Sequence, residues 1–366
     1  MTRKSYGFMG LGLIGGSIAK AIKEADPDAH IVALDANTAS LDLAKKEQIA
    51  DEIFSTPDSQ SLSRLGSCEF VFLCAPVSQN DRNLSLIKEY LSEDTILTDT
   101  GSVKGAIHEA VAALFLSHRF IGGHPMAGSE KSGFKNANSA ILENAYYILT
   151  PGENVPKDRV HALDELVRSM RAIPFVLENE QHDHITAAVS HLPHLIASGL
   201  VNLVHDQDED GMMKTIAAGG FKDITRIASS SPVMWQSICL SNTEQILKLL
   251  DAYTALLSDM RDKLSQKDET YLYDFFEQAK SYRDSFHDAG SGPIKKEFAL
   301  YVDLKDETGA LAKTANLLAD AGISIKNIGI MHNREFQEGA LRIEFYDESS
   351  MELARTTLSN NQYILF

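Results

Sequence analysis

A glycine-rich turn near the start of the chain places the strongest constraint on its fold. Gly10-Leu-Gly12-Leu-Ile-Gly15 follows a short apolar segment, residues 5–9, and opens an amphipathic one, residues 14–24. This pattern between a strand and a helix is typical of a turn that receives a dinucleotide pyrophosphate. Gly10 permits the tight turn, Gly12 lets the phosphates approach, and Gly15 lets helix and strand pack closely. The free N–H groups at the helix start favour the phosphate charge.

An acidic residue at the end of the next predicted strand indicates which dinucleotide binds. Asp35 lies 20 residues after Gly15, where a carboxylate holds the ribose 2′-hydroxyl. The same carboxylate would repel a 2′-phosphate, and no Arg follows within the next few positions. We therefore predict NAD rather than NADP. The predicted cofactor-binding residues of this segment are Gly10, Gly12, Leu13, Ile14, Gly15 and Asp35.

Short apolar segments alternate with amphipathic ones up to about residue 178. The predicted strands are 5–9, 31–35, 70–75, 96–99, 120–122, 146–150 and 175–177. This alternation predicts a parallel, doubly wound sheet of the Rossmann type. Ligands bind beyond the carboxyl ends of such strands, so Ala75, Pro76 and Ser102 join the predicted cofactor site. We expect nearby Lys104 to be an ordinary solvated residue.

Two further domains are predicted after the dinucleotide-binding domain, residues 1–178. Residues 179–289 lack strand signals and keep helical spacing of apolar residues, which predicts an all-helical domain. A short linker, 288–293, precedes residues 296–366, whose order β-α-β-β-α-β is typical of a ferredoxin-like α+β domain. The apolar helical surface packs either within the chain or against a second copy, and both interpretations stay open.

Charge and composition exclude other classes of protein. With 34 Lys and Arg against 51 Asp and Glu, the net charge is −17, which argues against nucleic-acid binding. No uninterrupted apolar run approaches the ~18 residues of a membrane span, so we expect no membrane partner. The three cysteines are odd in number and form no close-spaced pair. That usage favours a reduced, cytoplasmic protein without a disulfide framework.

Histidines are the candidate groups for proton transfer. His124 follows a predicted strand in a glycine-rich loop, and its ordinary pKa suits a base near neutral pH. Taken alone, such a loop histidine is more often a surface residue than a base. His182, His184, His191 and His194 lie within thirteen positions. No Cys accompanies them and Asp183 is awkwardly placed as a ligand, so we predict no metal site.

An acid–arginine pair is the candidate carboxylate-binding element. Asp223 and Arg226 follow Gly219 at spacing i, i+3, so on a helix the acid can orient the guanidinium. An arginine held in this way suits bidentate binding of a carboxylate. By itself the pair fits an ordinary surface ion pair better.

Five motifs occur here in a characteristic order. They are Gly-Leu-Ile-Gly-Gly-Ser, Asp-Thr-Gly-Ser-Val-Lys, Gly-Gly-His-Pro-Met-Ala-Gly-Ser-Glu, Ser-His-Leu-Pro-His and Gly-Gly-Phe-Lys-Asp-Ile-Thr-Arg. Over residues 5–288 the sequence resembles the prephenate/arogenate dehydrogenases of tyrosine biosynthesis. The resemblance implies NAD-dependent oxidative decarboxylation of prephenate to 4-hydroxyphenylpyruvate. Prephenate and arogenate differ in a keto or amino side chain, and no residue here distinguishes them.

The same resemblance implies roles for individual residues. His124 would accept the proton of the ring 4-hydroxyl, and Ser102 would orient that hydroxyl. The implied substrate-binding residues are His191, His194, Arg226, Asp223, Gly219 and Glu130.

The tail resembles an ACT domain, which implies edge-to-edge pairing in a homodimer. L-Tyrosine, the end product, would bind near Gly309, Ala310 and Asn327 and inhibit the enzyme. A dimerisation module without a ligand is the alternative. One other function stays open for the chain, an NAD-dependent dehydrogenase of another small acid. A non-enzymatic amino-acid sensor and metal-dependent hydrolysis both rank far behind.

Overall fold

The computed structural model describes residues 4–75, 77–128, 131–288, 298–304, 307–331, 340–361 and 363–365. The chain divides into two compact units, Met1–Asp274 and Phe275–Phe366. The domain boundaries expected near residues 178 and 289 stay predictions.

The first unit is built on one eight-stranded sheet. Its strands are β1 (Ser5–Met9), β2 (His30–Leu34), β3 (Glu52–Phe54), β4 (Phe70–Leu73), β5 (Ile96–Asp99), β6 (Phe120–Pro125), β7 (Tyr146–Pro151) and β8 (Ile173–Val176). The order across the sheet is β3-β2-β1-β4-β5-β6-β7-β8, and β1 to β6 are parallel. This order confirms the Rossmann-type sheet. The short edge strand β3 was not predicted, because three half-buried residues produce no recognisable apolar pattern.

The last two strands run opposite to the rest, which corrects the all-parallel expectation. β7 pairs with β6 antiparallel, and β8 pairs with β7 in parallel. A parallel neighbour needs a crossover of a dozen or more residues, usually a helix. Between β6 and β7 the described chain forms only short 3₁₀ turns, Phe134–Asn136 and Ser139–Leu142. The strand therefore returns beside β6 in the opposite direction.

Helices cover both faces of the sheet. They are α1 (Leu13–Ala25), α2 (Thr38–Lys46), α3 (Ser59–Gly66), α4 (Val77–Ile87), α5 (Gly105–Ala113) and α6 (Lys157–Ser169). Successive strand residues point to opposite faces. Phe8 and Phe72 stack at 4.9 Å in one apolar cluster, whereas Met9 and Leu73 belong to the cluster on the other face. Burial on both faces explains why these strands are almost continuously apolar.

Helices follow the sheet, as predicted for an all-helical region. They are α7 (Asn179–Thr186), α8 (Leu192–Gln207), α9 (Met212–Ile216), α10 (Gly219–Thr225), α11 (Pro232–Ser241), α12 (Thr243–Gln266) and α13 (Glu269–Asp288). A π-helical turn, Ala187–His191, joins α7 and α8 into one continuous helix, Asn179–Gln207. Pro193 lies inside this continuous helix, directly after the π-helical turn, and its missing N–H leaves one helical hydrogen bond unmade there.

The helix Asn179–Gln207 is long and apolar enough to cross a membrane by length and composition alone. Its most apolar 18-residue window has a mean hydropathy of 1.3, and 17% of that window is buried. Counting uninterrupted apolar runs in the sequence did not find it. The helix also carries buried His182, Asp183 and His191, which hydrogen-bond within the first unit. A helix with one apolar, exposed face and one face packed in the protein explains both the high hydropathy and the buried polar residues.

The second unit contains a small antiparallel sheet and two helices that follow α13. Its elements are β9 (Phe298–Asp303), α14 (Ala310–Asp320), β10 (Ile325–Met331), β11 (Ala340–Phe345) and α15 (Glu348–Asn360). The strand order is β10-β11-β9. The predicted last strand, 363–366, is represented by one antiparallel bridge between Val302 and Leu365. Of the predicted linker 288–293, only Asp288 lies within the described residues.

Candidate active site

The glycine-rich turn joins β1 to α1 and has the geometry of a phosphate-binding turn. Gly10 has a φ of +100°, and a Cβ there would lie 2.7 Å from the backbone N of Ala75, so only glycine fits. A Cβ on Gly15 would lie 2.7 Å from the carbonyl oxygen of Gly10. A Cβ on Gly12 would meet no atom of the described residues within 4 Å. The turn is therefore tightly packed behind Gly10 and Gly15 and open in front of Gly12.

Asp35 closes this turn. The residue directly follows β2, and its Oδ2 accepts a hydrogen bond from the backbone N of Leu11 at 2.5 Å. Its Oδ1 accepts from the backbone N of Asn37 at 2.7 Å. Within the described chain, α1 begins without a side-chain cap or an acidic residue in its first turn. Leu13 and Ile14 form that first turn, so its N–H groups and dipole are available to an anion.

The other predicted cofactor residues follow the neighbouring strands. Ala75 follows β4 and packs against Gly10, whereas Ser102 lies half-buried between β5 and α5. Pro76 lies outside the described residues. The carboxyl ends of β1, β2, β4 and β5 thus bring Gly12, Asp35, Ala75 and Ser102 to one edge of the sheet.

Lys104 is fully buried, so the expectation of a solvated residue is wrong. Its Nζ donates to both carboxylate oxygens of Asp99, at 2.7 and 2.6 Å, and to the carbonyl oxygen of Gly123 at 2.8 Å. All three ammonium protons therefore have acceptors. Burial lowers the pKa of Lys104, and the charge of Asp99 opposes that shift. The sequence shows only a lysine at a helix start, because its partners lie on two different strands.

His124 lies within β6 and not in a loop after it. The strand continues to Pro125 because β7 pairs with it, with His124 opposite Ile148. The imidazole is 8% exposed, and its Nδ1 lies 2.7 Å from Nε2 of His182. Burial holds the pKa of His124 well below 6.5, and the nearby His182, Lys104 and His191 lower it further. The ring is therefore neutral at physiological pH and can accept a proton.

His182 and Asp183 connect His124 to the start of α5 through hydrogen bonds. Nδ1 of His182 lies 2.8 Å from Oδ1 of Asp183. That carboxylate also accepts from the backbone N of Lys104 at 2.8 Å and of Gly105 at 2.7 Å. Sequence reasoning considered these two residues only as metal ligands. Their neighbouring positions gave no sign that they would meet a strand residue 58 positions earlier.

His191 and His194 occupy different surroundings on the continuous helix. His191 is buried, and its Nδ1 lies 3.1 Å from Nδ2 of Asn242; burial lowers its pKa to about 4. His194 is half-buried and stacks on Trp235 with ring centroids 3.7 Å apart. Burial and the charge of Arg226 lower the pKa of His194. Sequence reasoning had missed both Asn242 and Trp235.

The acid–arginine element lies beside α8. Gly219 begins α10, Asp223 lies within it, and Arg226 begins the 3₁₀ turn Arg226–Ser229 that packs against α8. Arg226 directly follows α10 with helical φ and ψ, and its charge lies within electrostatic reach of His194. The pairing of Asp223 with Arg226 stays a prediction. Glu130 lies outside the described residues.

Among the described residues, no group of three His, Cys, Asp or Glu side chains is arranged to hold a metal ion. A Rossmann-type sheet, an open glycine-rich turn beside Asp35 and a buried neutral histidine define a dinucleotide-dependent dehydrogenase.

Comparison with known proteins narrows this class to one family. Residues 18–174 match the family model "Prephenate dehydrogenase, nucleotide-binding domain", and residues 178–278 match "Prephenate dehydrogenase, dimerization domain". The chain is 37% identical over 351 residues to prephenate dehydrogenase of Bacillus subtilis (strain 168), covering 94% of this chain and 93% of that one.

Solved structures agree with the family models. Prephenate dehydrogenase from A. aeolicus, in complex with hydroxyphenyl propionate and NAD+, has a TM-score of 0.73 and 30% identity, covering 78% of this chain and 99% of that one. Synechocystis arogenate dehydrogenase has a TM-score of 0.70 and 27% identity, covering 77% and 99%. The chain therefore belongs to the prephenate dehydrogenase family, and its activity is NAD-dependent dehydrogenation of prephenate.

Replacing Lys104 with Met should lower the free energy of unfolding by about 3–5 kcal/mol, because the Asp99 carboxylate stays buried without its countercharge. Urea unfolding followed by circular dichroism measures the change. Lys88→Met, at a partly exposed lysine 4.0 Å from Glu89, should change the stability by less than about 0.5 kcal/mol. Adding Asp99→Asn to Lys104→Met should recover part of the loss. A loss below about 1 kcal/mol in the single variant would show that Asp99 does not need the Lys104 charge.

Proposed function

We propose that His124 is the base that accepts the 4-hydroxyl proton of prephenate. The ring is buried and neutral, and one of its nitrogens is engaged by His182. The other nitrogen is then available to the substrate. The single observation that carries this proposal is a neutral imidazole at the same sheet edge as the glycine-rich turn.

The proposed reaction converts prephenate and NAD⁺ into 4-hydroxyphenylpyruvate, CO₂ and NADH. Bound NAD supplies the acceptor for the hydride that leaves C4. As that C–H bond breaks, His124 takes the hydroxyl proton and C4 becomes a carbonyl carbon. The bond between C1 and the ring carboxylate then breaks, and its electron pair makes the ring aromatic. His124 returns the proton to the phenolate oxygen. Aromatisation drives the reaction, so the protein mainly positions the groups.

The residues of the turn fit a bound dinucleotide. Space in front of Gly12 and the uncapped start of α1 would receive the pyrophosphate. Asp35 can accept a ribose hydroxyl while it holds Leu11, since each carboxylate oxygen has more than one acceptor site. We assign Gly10, Leu13, Ile14, Gly15, Ala75, Pro76 and Ser102 to the same site. The similar A. aeolicus enzyme was solved in complex with NAD+, which supports NAD as the dinucleotide.

Substrate binding is proposed for residues around α8 and α10. Prephenate carries two carboxylates, and Arg226 would bind one of them through its guanidinium fork. His194 would contact the side-chain end, held in place by stacking on Trp235. Ser102 would orient the 4-hydroxyl toward His124. His191, Asp223, Gly219 and Glu130 complete the proposed substrate site.

We propose that the active form is a homodimer. The helices between residues 179 and 288 expose many large apolar side chains, among them Val189 (65% exposed), Leu203 (60%), Leu247 (50%) and Leu264 (60%). Apolar surface of this extent marks an interaction site. The matched family model of residues 178–278 is described as a dimerization domain. A second copy of the chain is the partner that this description favours.

We propose that the second unit is an ACT-type ferredoxin-like domain that binds L-tyrosine. Its order β9-α14-β10-β11-α15, with Leu365 bridged to Val302, supports that fold. Gly309 precedes α14 with a φ of +85°, and Ala310 lines a pocket with Leu304, Glu307, Lys313 and Tyr363. Asn327 lies exposed on β10 and does not line that pocket. Inhibition requires that tyrosine bind a less active state more tightly.

A reduced, cytoplasmic setting is proposed for the enzyme. Cys68, Cys74 and Cys239 are free thiols, and burial raises the pKa of Cys68 and of Cys74 to about 12. Buried, protonated thiols suit a protein that does not depend on disulfides.

Two glycine variants should separate folding from NAD binding. Gly10→Ala should lower the free energy of unfolding by at least about 1 kcal/mol, because it combines a positive φ with a 2.7 Å contact. Gly12→Ala, at the N-cap of α1, should lower that stability by less than about 1 kcal/mol but raise the Kd for NAD about tenfold or more. Thermal unfolding without NAD and calorimetric titration with NAD measure the two effects. Unchanged NAD affinity in Gly12→Ala would remove Gly12 from the site.

His124→Asn should lower kcat for prephenate by about 10²–10⁴-fold, because the proton acceptor is lost. The Kd for NAD should stay within about twofold, since the variant leaves the glycine-rich turn intact. Stopped-flow measurement of NADH and calorimetric titration with NAD test the two statements. Near-normal turnover would exclude His124 as the base.

NADH formation with prephenate and NAD should fall about fivefold or more when L-tyrosine is added, which corresponds to an ordinary coupling between two sites. Lys313→Ala, in the pocket lined by Ala310, should weaken this inhibition, whereas Lys280→Ala, at an exposed lysine of α13, should not. Parallel assays with arogenate establish the substrate preference. Turnover that is indifferent to tyrosine would reduce the second unit to a structural or dimerisation role.

A further inference from the structure

A chain of three side chains connects β6 to the start of α5. Nδ1 of His124 lies 2.7 Å from Nε2 of His182, and Nδ1 of His182 lies 2.8 Å from Oδ1 of Asp183. The Asp183 carboxylate is the last of the three side chains, and it accepts hydrogen bonds from the backbone N–H groups of Lys104 and Gly105. All three side chains are buried, between 1% and 8% exposed. Water therefore competes little with these contacts.

The direction of each hydrogen bond follows from the last member. An ionised carboxylate only accepts, and the start of α5 favours a negative charge at Asp183. Nδ1 of His182 must then donate to it, which leaves Nε2 of a neutral His182 as an acceptor. Nδ1 of His124 must in turn donate to that Nε2. A neutral His124 therefore carries its lone pair on Nε2.

We infer that His182 and Asp183 are positioning residues that hold His124 in the tautomer with a protonated Nδ1 and a basic Nε2. The inference rests on the proposed role of His124 as the base and deepens it. A histidine left in the other tautomer would present N–H to the substrate hydroxyl and could not accept its proton. Hydrogen-bond partners commonly fix a catalytic imidazole in this way.

The same arrangement places the Asp183 carboxylate one imidazole ring away from the proton-accepting His124. When His124 becomes an imidazolium, the charge of Asp183 stabilises it through His182. Other titratable groups lie near these three hydrogen-bonded side chains. They are Asp99 on β5, Lys104 and His108 by α5, Tyr147 on β7 and His191 in the π-helical turn. His182, Lys104 and His191 each oppose a positive charge on His124 when they are charged, and Asp99 largely neutralises Lys104. A neutral His182 removes its own opposition and accepts from Nδ1 of His124. Asp183 is thus the favourable charge that His182 couples to His124.

Nitrogen-15 NMR of the histidine side chains tests the inference in the full-length protein without NAD. At neutral pH the His124 ring should be neutral, with Nδ1 protonated and Nε2 bare. In Asp183→Asn, the signals of the two His124 nitrogens should shift toward each other as the two tautomers mix. A wild-type His124 protonated on Nε2 would overturn the inference. This readout does not depend on substrate turnover.

Kinetics of three variants give a second, independent test. His182→Ala should lower kcat for prephenate about 100-fold with little change in KM, because the reacting tautomer loses its support. His182→Gln should recover part of the loss, since the amide oxygen can accept from Nδ1 of His124. His184→Ala is the matched control, because His184 lies on the same helix and contacts Gln245 at 3.1 Å. Its kcat should stay within about twofold of the wild type.

The outcomes separate this inference from the function on which it rests. Full turnover in His124→Asn would overturn the base role, and the inference would fall with it. An inactive His124→Asn together with a wild-type kcat in correctly folded His182→Ala would overturn the inference alone. A loss of kcat in His182→Ala without a change in the His124 nitrogen signals would also overturn it, because the effect would then be merely structural.

Discussion

The ion pair between Lys104 and Asp99 is the interaction on which the rest of the site depends. The ammonium is fully enclosed and donates to Asp99 on β5 and to Gly123 on β6. A buried pair of this kind contributes little net stability compared with apolar packing, yet breaking one half is costly. Its value here is positional. It fixes the backbone of β6 next to His124 and the backbone of residue 104 beneath Asp183.

The candidate active site combines two differently built regions of the first unit. The sheet supplies the glycine-rich turn and His124, because the carboxyl ends of parallel strands meet at one edge. The continuous helix Asn179–Gln207 supplies His182, Asp183, His191 and His194. Asp183 accepts hydrogen bonds from the two backbone N–H groups at the start of α5, and these bonds anchor the continuous helix against the sheet domain. Binding chemistry and proton chemistry therefore depend on the same packing.

Much of the fold follows from local pattern. The strands with continuous apolar residues, such as β4 and β5, are predictable because burial on both faces leaves no room for polar alternation. The turn at Gly10 is predictable because a positive φ and close backbone approach demand glycine. The direction of β7 is harder to predict, since it depends on how the chain between β6 and β7 returns to the sheet. The order of the sequence motifs suggested the roles of His124 and Arg226. It did not indicate which residues would surround either side chain in the fold.

The proposal of His124 as the base came from the family resemblance and not from local pattern. Local composition and spacing sufficed for the Rossmann-type sheet, the helical region after it and the preference for NAD. Those features depend on residues that are close in sequence, whose steric and hydrogen-bonding requirements act within one turn or one strand. The contacts of Lys104 with Gly123, of His124 with His182 and of Asp183 with the backbone of Lys104 join residues 19 to 79 positions apart. Such contacts form only when separate elements pack together. Their donors, acceptors and dielectric surroundings are therefore determined by the tertiary structure and not by any single segment of the sequence.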